Sequence, residues 1–318
     1  MPNHLHGAEV VVALDVGGTE IKGAITGAKG RLVAKDRRST QRDRGSAAVV
    51  ETISVFAQDL CRRAGSEHGR VVVAAGIVVP GQVDERHGVA RWSSNLGWRD
   101  VPFQRLLEER LGLPVVIGHD VRAGALAEGV LGAADGYRDY LFMTIGTGIG
   151  GALVLDGRPY TGAHASAAEI GHVVVEPGGL RCTCGGRGCL ETVASASAIA
   201  SRYAVARGEN ASEIDAAVIV EHVRAGDPRA RGVWLPAVEA LGAALATTVT
   251  LLDPALVVIG GGLAAAGDTL LGPLSKALDA RLSFQRMPRL RQAKLGAEAG
   301  CLGAALLAWQ AAPRRMSS

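Results

Sequence analysis

Two hydrophobic patterns alternate along this chain: short, nearly unbroken apolar runs that end on glycine, and longer stretches with helical spacing. Residues 10–14 form an apolar run that ends on Asp15 and the turn Val16-Gly17-Gly18-Thr19, which predicts a strand. A second strand over about 20–26, a turn at 27–30 and a third strand over 31–35 complete what reads as an antiparallel meander. Over 47–63, Val50, Ile53, Phe56, Ala57 and Leu60 share one face and predict a helix. The run 71–79 has the composition of a strand buried on both faces. A short helix over 101–111, a buried strand over 115–118 and a helix over 121–131, starting right after Asp120, follow.

The pattern then restarts. A strand over 140–145 ends in the glycine turn 146–151, followed by a strand over 152–155 and a turn at Asp156-Gly157. Gly146 lies 131 residues after Asp15, and the repeated order of strand, Gly/Thr turn and strand predicts two similar halves. Helices over 214–225 and 231–251, a strand over 256–259 and Gly260-Gly261-Gly262 close the second half. A last helix over 301–311 is placed to pack back on the first. With 318 residues, two lobes are expected, 1–120 plus 301–318 and 121–300, with no Pro/Ser/Gly linker between them.

Composition narrows the class. Hydrophobic residues at 48% and charged residues at 20% describe a globular chain. A net charge of +3 over this length gives no basic stripe and argues against nucleic acid as a partner. Cys61 and Cys301 have no spacing signature and, read as unpaired thiols, fit a cytoplasmic protein. No signal peptide is read at the N-terminus, and no run approaches the roughly 18 apolar residues of a membrane span.

The densest chemistry lies in 169–191. His172, Cys182, Cys184 and Cys189 fall within eighteen residues, bracketed by Glu169 and Glu191. Three thiolates and an imidazole form a common tetrahedral zinc set, and Gly185, Gly186 and Gly188 let the loop fold back on one ion. The alternative is a set of buried free thiols. Glycine turns at 17–18, 146–151 and 260–262 each follow a buried strand, where backbone amides approach phosphate closely; Thr19 and Thr147 add hydroxyls and Lys22 a charge. Asp15 is suited to a hydrated Mg²⁺. Neither a Walker A motif nor a well-formed G-x-G-x-x-G turn opening a helix is present. Asp120 reads either as a helix N-cap or as a general base at a strand end. Asn95, His119, Asp120, Glu169, His172 and Glu191 suit a neutral polyol.

These motifs carry a resemblance. Asp15–Thr19, Asn95-Leu96-Gly97-Trp98, Asp120, the 145–151 loop and the zinc segment resemble the ROK family of bacterial sugar kinases and sugar-responsive repressors, over almost the whole length. The resemblance implies an α/β, two-lobe, actin-like (ribonuclease H-like) ATPase fold with a structural zinc loop. It implies an ATP- and Mg²⁺-dependent hexose kinase with Asp120 as base, and Asn95, Asp120, Glu169, His172 and Glu191 at the sugar. Asp15, Gly17, Gly18, Thr19, Gly146, Thr147 and Gly148 are implied at the nucleotide, where the residue pattern itself adds Lys22, Gly261 and Gly262. His172, Cys182, Cys184 and Cys189 are implied to hold Zn²⁺, and a homodimer is implied. Glucose is the leading substrate, with N-acetylglucosamine or another amino sugar as the alternative and a non-catalytic regulator a third reading. The regulator reading meets a first strand that starts near residue 9, with no room ahead of it for a DNA-binding module. ATP or polyphosphate is open as donor. Two departures stand out. His119 replaces the Asn that many members carry before the Asp, as a sugar ligand or a packing change; Ala165 and Ala168 replace two glycines of the family pattern.

Overall fold

The computed structural model describes residues 9–209 and 215–313. Among these, one compact unit takes 9–127, 161–166 and 297–313, and a second takes 128–160, 167–209 and 215–296.

Unit 1 begins with β1 (Glu9–Val16), β2 (Glu20–Thr26) and β3 (Leu32–Ser39), an antiparallel meander. It continues with α1 (Ser46–Ser66) and β4 (Val71–Val79), the latter parallel to β1. A small sheet follows that periodicity does not reveal: β5 (Gln82–Asp84), β6 (Val89–Trp92) and β7 (Arg99–Val101). Val101 ends this sheet, so the helix expected over 101–111 starts two residues later, as α2 (Phe103–Leu111); Pro102 caps it, lacking an N–H to place in a helix interior. β8 (Val115–His119) runs parallel to β4 and passes directly into α3 (Asp120–Leu131).

Unit 2 is built from β9 (Tyr140–Ile145), β10 (Ile149–Leu155), β11 (Arg158–Pro159), α4 (Glu191–Ala194), α5 (Ala196–Arg207), α6 (Ala216–Arg224), α7 (Pro228–Leu252), β12 (Leu256–Gly260), α8 (Asp268–Asp279) and β13 (Arg289–Gln292). β10 begins inside the run of glycines expected to be a turn, pairing Gly150 with Thr144 and Gly151 with Met143; the true turn is therefore 146–148. The start of the helix expected over 214–225 lies outside the described residues at 214; its described part is α6, capped by the Asp215 carboxylate on Ala217 N–H. α9 (Ala299–Ala311) returns the chain to unit 1.

The halves expected from the repeated pattern have the same topology. The sheet of unit 1 has the order β3-β2-β1-β4-β8 and that of unit 2 the order β11-β10-β9-β12-β13. Each is an antiparallel meander of three strands continued by two parallel ones.

The division falls at 127 and 296, later than 120 and earlier than 300, because both helix starts are packed into unit 1. Ala123 joins Cys301, Ala304 and Ala305 in one buried cluster on β1 and β4, and Gly303 lies against the Ala123 carbonyl with no room for a Cβ. α7 is long and apolar enough to cross a membrane by length and composition, which corrects the expectation that no run approaches this. Trp234, Ala237, Val238, Leu241, Leu245 and Val249 on α7 are buried in the core of unit 2, as in a core helix.

Candidate active site and metal centre

In unit 1 the carboxyl ends of three parallel strands, β1, β4 and β8, lie side by side, the position at which open α/β sheets bind ligands. Asp15 near the end of β1 pairs across the hairpin with Lys22, whose Nζ lies 3.8 Å from Asp15 Oδ2 and donates to Ala297 O at 2.9 Å. A Cβ on Gly300, in the first turn of α9, would come within 2.6 Å of Asp15 Oδ2, so glycine is needed there for the helix to approach the carboxylate. Burial raises the Asp15 pKa to about 6, reinforced by the charge of Asp120 and opposed by Lys22.

The first glycine turn is pinned from behind by Thr40, fully buried and missed by motif reading. Its hydroxyl donates to Gly17 O at 2.7 Å and its N–H to Thr19 O at 2.9 Å. Gly17 N–H closes the turn on Glu20 O and Gly146 N–H closes the second turn on Gly148 O, so these two amides are not available to a phosphate. Gly18, Gly146 and Gly262 have neither a left-handed backbone nor an atom within 4 Å of a would-be Cβ. Among the described residues nothing requires glycine at these three positions, which fits close approach by a ligand. Gly261, by contrast, needs to be glycine for its φ of +80° and its contact with Ile145.

Asp120 stands at the junction of β8 and α3, deep-set but with 30% of its side-chain surface open. Its Oδ1 accepts Val121 N–H at 2.8 Å, and burial pushes its pKa up to about 6 against the pull of that amide and of Arg122. The junction is held by a group that sequence reasoning missed. Glu85 Oε1 accepts His119 N–H and Arg122 Nε–H, both at 3.0 Å, while Arg122 also donates to Ala165 O and Val83 O. A buried Arg two residues after the Asp was the available signal, but its partners lie about forty residues away on either side. Asn95 is exposed on the loop between β6 and β7, which buried Leu96 and Trp98 anchor; Trp98 meets Phe103 edge-on at 5.2 Å.

In unit 2, His172, Cys182, Cys184 and Cys189 converge, their ligand atoms all within 4.8 Å of one another. Zn–S bonds of about 2.3 Å and Zn–N bonds of about 2.0–2.1 Å in a tetrahedron imply edges of about 3.8 Å for S···S and about 3.6 Å for S···N. Cys184 Sγ lies 3.7 Å from Cys189 Sγ, and Cys182 Sγ 3.6 Å from His172 Nδ1, so the residues fit the ion. Gly185 and Gly188 have φ of +94° and +73°, and the Gly186 amide lies 3.4 Å from Cys184 Sγ and lowers its thiol pKa. Glu191 ties this centre to the second turn: Oε2 accepts Ile149 N–H at 2.9 Å and fills the space a Cβ on Gly148 would take. Glu169 is exposed, just ahead of the 3₁₀ turn Ile170–His172. Thr147 is exposed at the tip of its turn.

The sequence profile of the ROK family matches residues 11–311. The chain belongs to the ROK family. This ROK chain is 36% identical to a glucokinase of Halalkalibacterium halodurans, over 94% of each. It is similar to the solved ROK hexokinase of Thermus thermophilus (TM-score 0.82, 39% identity, 95% of this chain and 98% of the other). A ROK glucokinase of Streptomyces griseus, solved with glucose and AMPPNP, superposes with TM-score 0.82 at 31% identity, over 95% of this chain and 99% of the other.

Proposed function

We propose that this ROK protein is an ATP-dependent glucokinase that phosphorylates the 6-hydroxyl of glucose. The observation that carries the reading is Asp120: a deep-set, partly open carboxylate at the end of a parallel strand, with a pKa near 6. Such a group is ionised at neutral pH and basic enough to accept a hydroxyl proton. The likeness to glucokinases, one of them solved with glucose and an ATP analogue, supports the substrate pair.

In the reaction the 6-oxygen forms a bond to the γ-phosphorus as the bond from that phosphorus to the β,γ-bridging oxygen breaks. ADP leaves with the electron pair, and the hydroxyl proton passes to Asp120. A base of this kind contributes roughly 10²- to 10⁴-fold. Asp15 would hold hydrated magnesium, which supplies charge stabilisation at the phosphates when bound. In unit 1, Gly18 and Thr19 would face phosphate and Asn95 a sugar hydroxyl; in unit 2, Thr147 and Gly262 would face phosphate and Glu169 and His172 sugar hydroxyls. Zinc held by His172, Cys182, Cys184 and Cys189 would have no open position; its role is to fix His172 and Glu191.

The test is sugar-dependent ADP release across glucose, mannose, fructose, N-acetylglucosamine, N-acetylmannosamine and glucosamine, with ATP or polyphosphate as donor. Glucose with ATP should turn over fastest. A preference for an acetylated sugar would move the assignment to the amino-sugar alternative, and no sugar-dependent release would leave a regulator.

A further inference from the structure

His119 stands where many family members carry Asn. Its residue surface is only 8% exposed, and its backbone N–H is held by Glu85. The Arg122 N–H donates to His119 Nδ1 at 3.3 Å, so Nδ1 presents its lone pair and the neutral ring carries its proton on Nε2. Nε2 lies 3.5 Å from Asp120 Oδ1, a long contact that a few tenths of an ångström of closure converts to a full hydrogen bond. Val121 N–H donates to the same Oδ1. Both donors fall on one oxygen.

We propose that His119 is a positioning residue and not a sugar ligand: together with the Val121 amide it engages Oδ1 of Asp120, leaving Oδ2 to take the substrate proton. The inference rests on Asp120 being the base. The charged groups around it, Glu85, Arg122 and, at the end of β1, Asp15, are fixed by the contacts described above. The ring itself is tied into the start of α3 by its Nδ1, which leaves little surface to offer a sugar.

Two variants separate the two ends of the ring. His119→Asn retains an acceptor for Arg122 N–H but is too short to reach Oδ1 as Nε2 does; His119→Gln extends an amide N–H to that position. Using glucose and ATP, His119→Asn should melt near wild type, lose about tenfold in kcat and keep its glucose KM, the loss of one aligned hydrogen bond. His119→Gln should recover most of that kcat. A raised KM with kcat unchanged in either variant, or full kcat in both, would overturn the proposal. Asp120→Asn is run alongside: near-normal turnover there refutes the base assignment itself, whereas an inactive Asp120→Asn beside a fully active His119→Asn refutes only the positioning role.

Discussion

Arg122 offers the sharpest test of how the candidate base is held. Its side chain is 3% exposed and donates to Glu85 Oε1 at 3.0 Å, Ala165 O at 3.2 Å and Val83 O at 3.4 Å. Arg122→Met keeps most of the buried volume and removes all three bonds. It forfeits one charge-assisted bond, of about 1.5–3 kcal/mol, and leaves two carbonyls short of a donor at about 1 kcal/mol each. It also leaves Glu85, 31% exposed, without its counter-charge. The sum is a destabilisation of about 3–5 kcal/mol, in the range seen when one partner of a buried pair is removed. At about 2–4 °C per kcal/mol, the melting temperature should fall by about 10 °C in a thermal denaturation scan. Arg122→Lys should recover less than half, since a point charge cannot serve three acceptors arranged for a fork. Glu85→Gln retains the oxygen that accepts His119 N–H but removes the charge, so the double variant with Arg122→Met should cost clearly less than the two singles added. A shift of under about 2 °C for Arg122→Met, or strict additivity in the double variant, would refute the account.

The metal centre predicts one zinc per chain by elemental analysis; Cys189→Ser should lose it, lower the melting temperature by about 10 °C or more and raise the sugar KM, whereas a zinc-free protein with unchanged KM would break the link between the ion and the sugar loop. Because Asp120 must be ionised to accept a proton and its pKa is about 6, kcat/KM should be flat above that pH and fall below it, up to twofold as steeply if Asp15 titrates in the same range. Both pKa values are raised on folding, so the associated stability is fully present below about 4 and lost as pH rises through about 6. Asp120→Asn should therefore melt higher than wild type at pH 8 while turning over poorly; a lower melting temperature there would contradict the burial argument. Ala168 has a left-handed φ of +65°. Ala168→Gly should relieve about 1–2 kcal/mol of strain, offset by about 0.4–1 kcal/mol of unfolded-chain entropy, and so raise the melting temperature modestly; a fall would show that the loop is not strained there.

What was legible in the sequence is local or periodic. Buried strands such as Val71–Val79, the amphipathic face of α1 and the doubled strand-turn-strand pattern follow from short-range spacing, and the two sheets have the matching topology that pattern predicts. The cysteine and histidine spacing was equally local, and its ligand atoms converge within 4.8 Å. Short elements with weak periodicity, β5 to β7 and β13, were not legible, because three or four residues carry too little pattern to separate a strand from a loop.

The amino-acid sequence by itself determined the chemistry available: a carboxylate after a buried strand, glycine turns and four metal-binding side chains. Only the tertiary structure decided how each is used. Gly17 and Gly146 spend their amides inside their own turns, Thr40 braces the first turn, Glu191 fills the space at Gly148, and Glu85 with Arg122 fixes the His119-Asp120 junction. Apart from the two local turn bonds, each of these hinges on a hydrogen bond or close contact whose partner the backbone path brings near, and local patterning carries no information about which distant residue that will be.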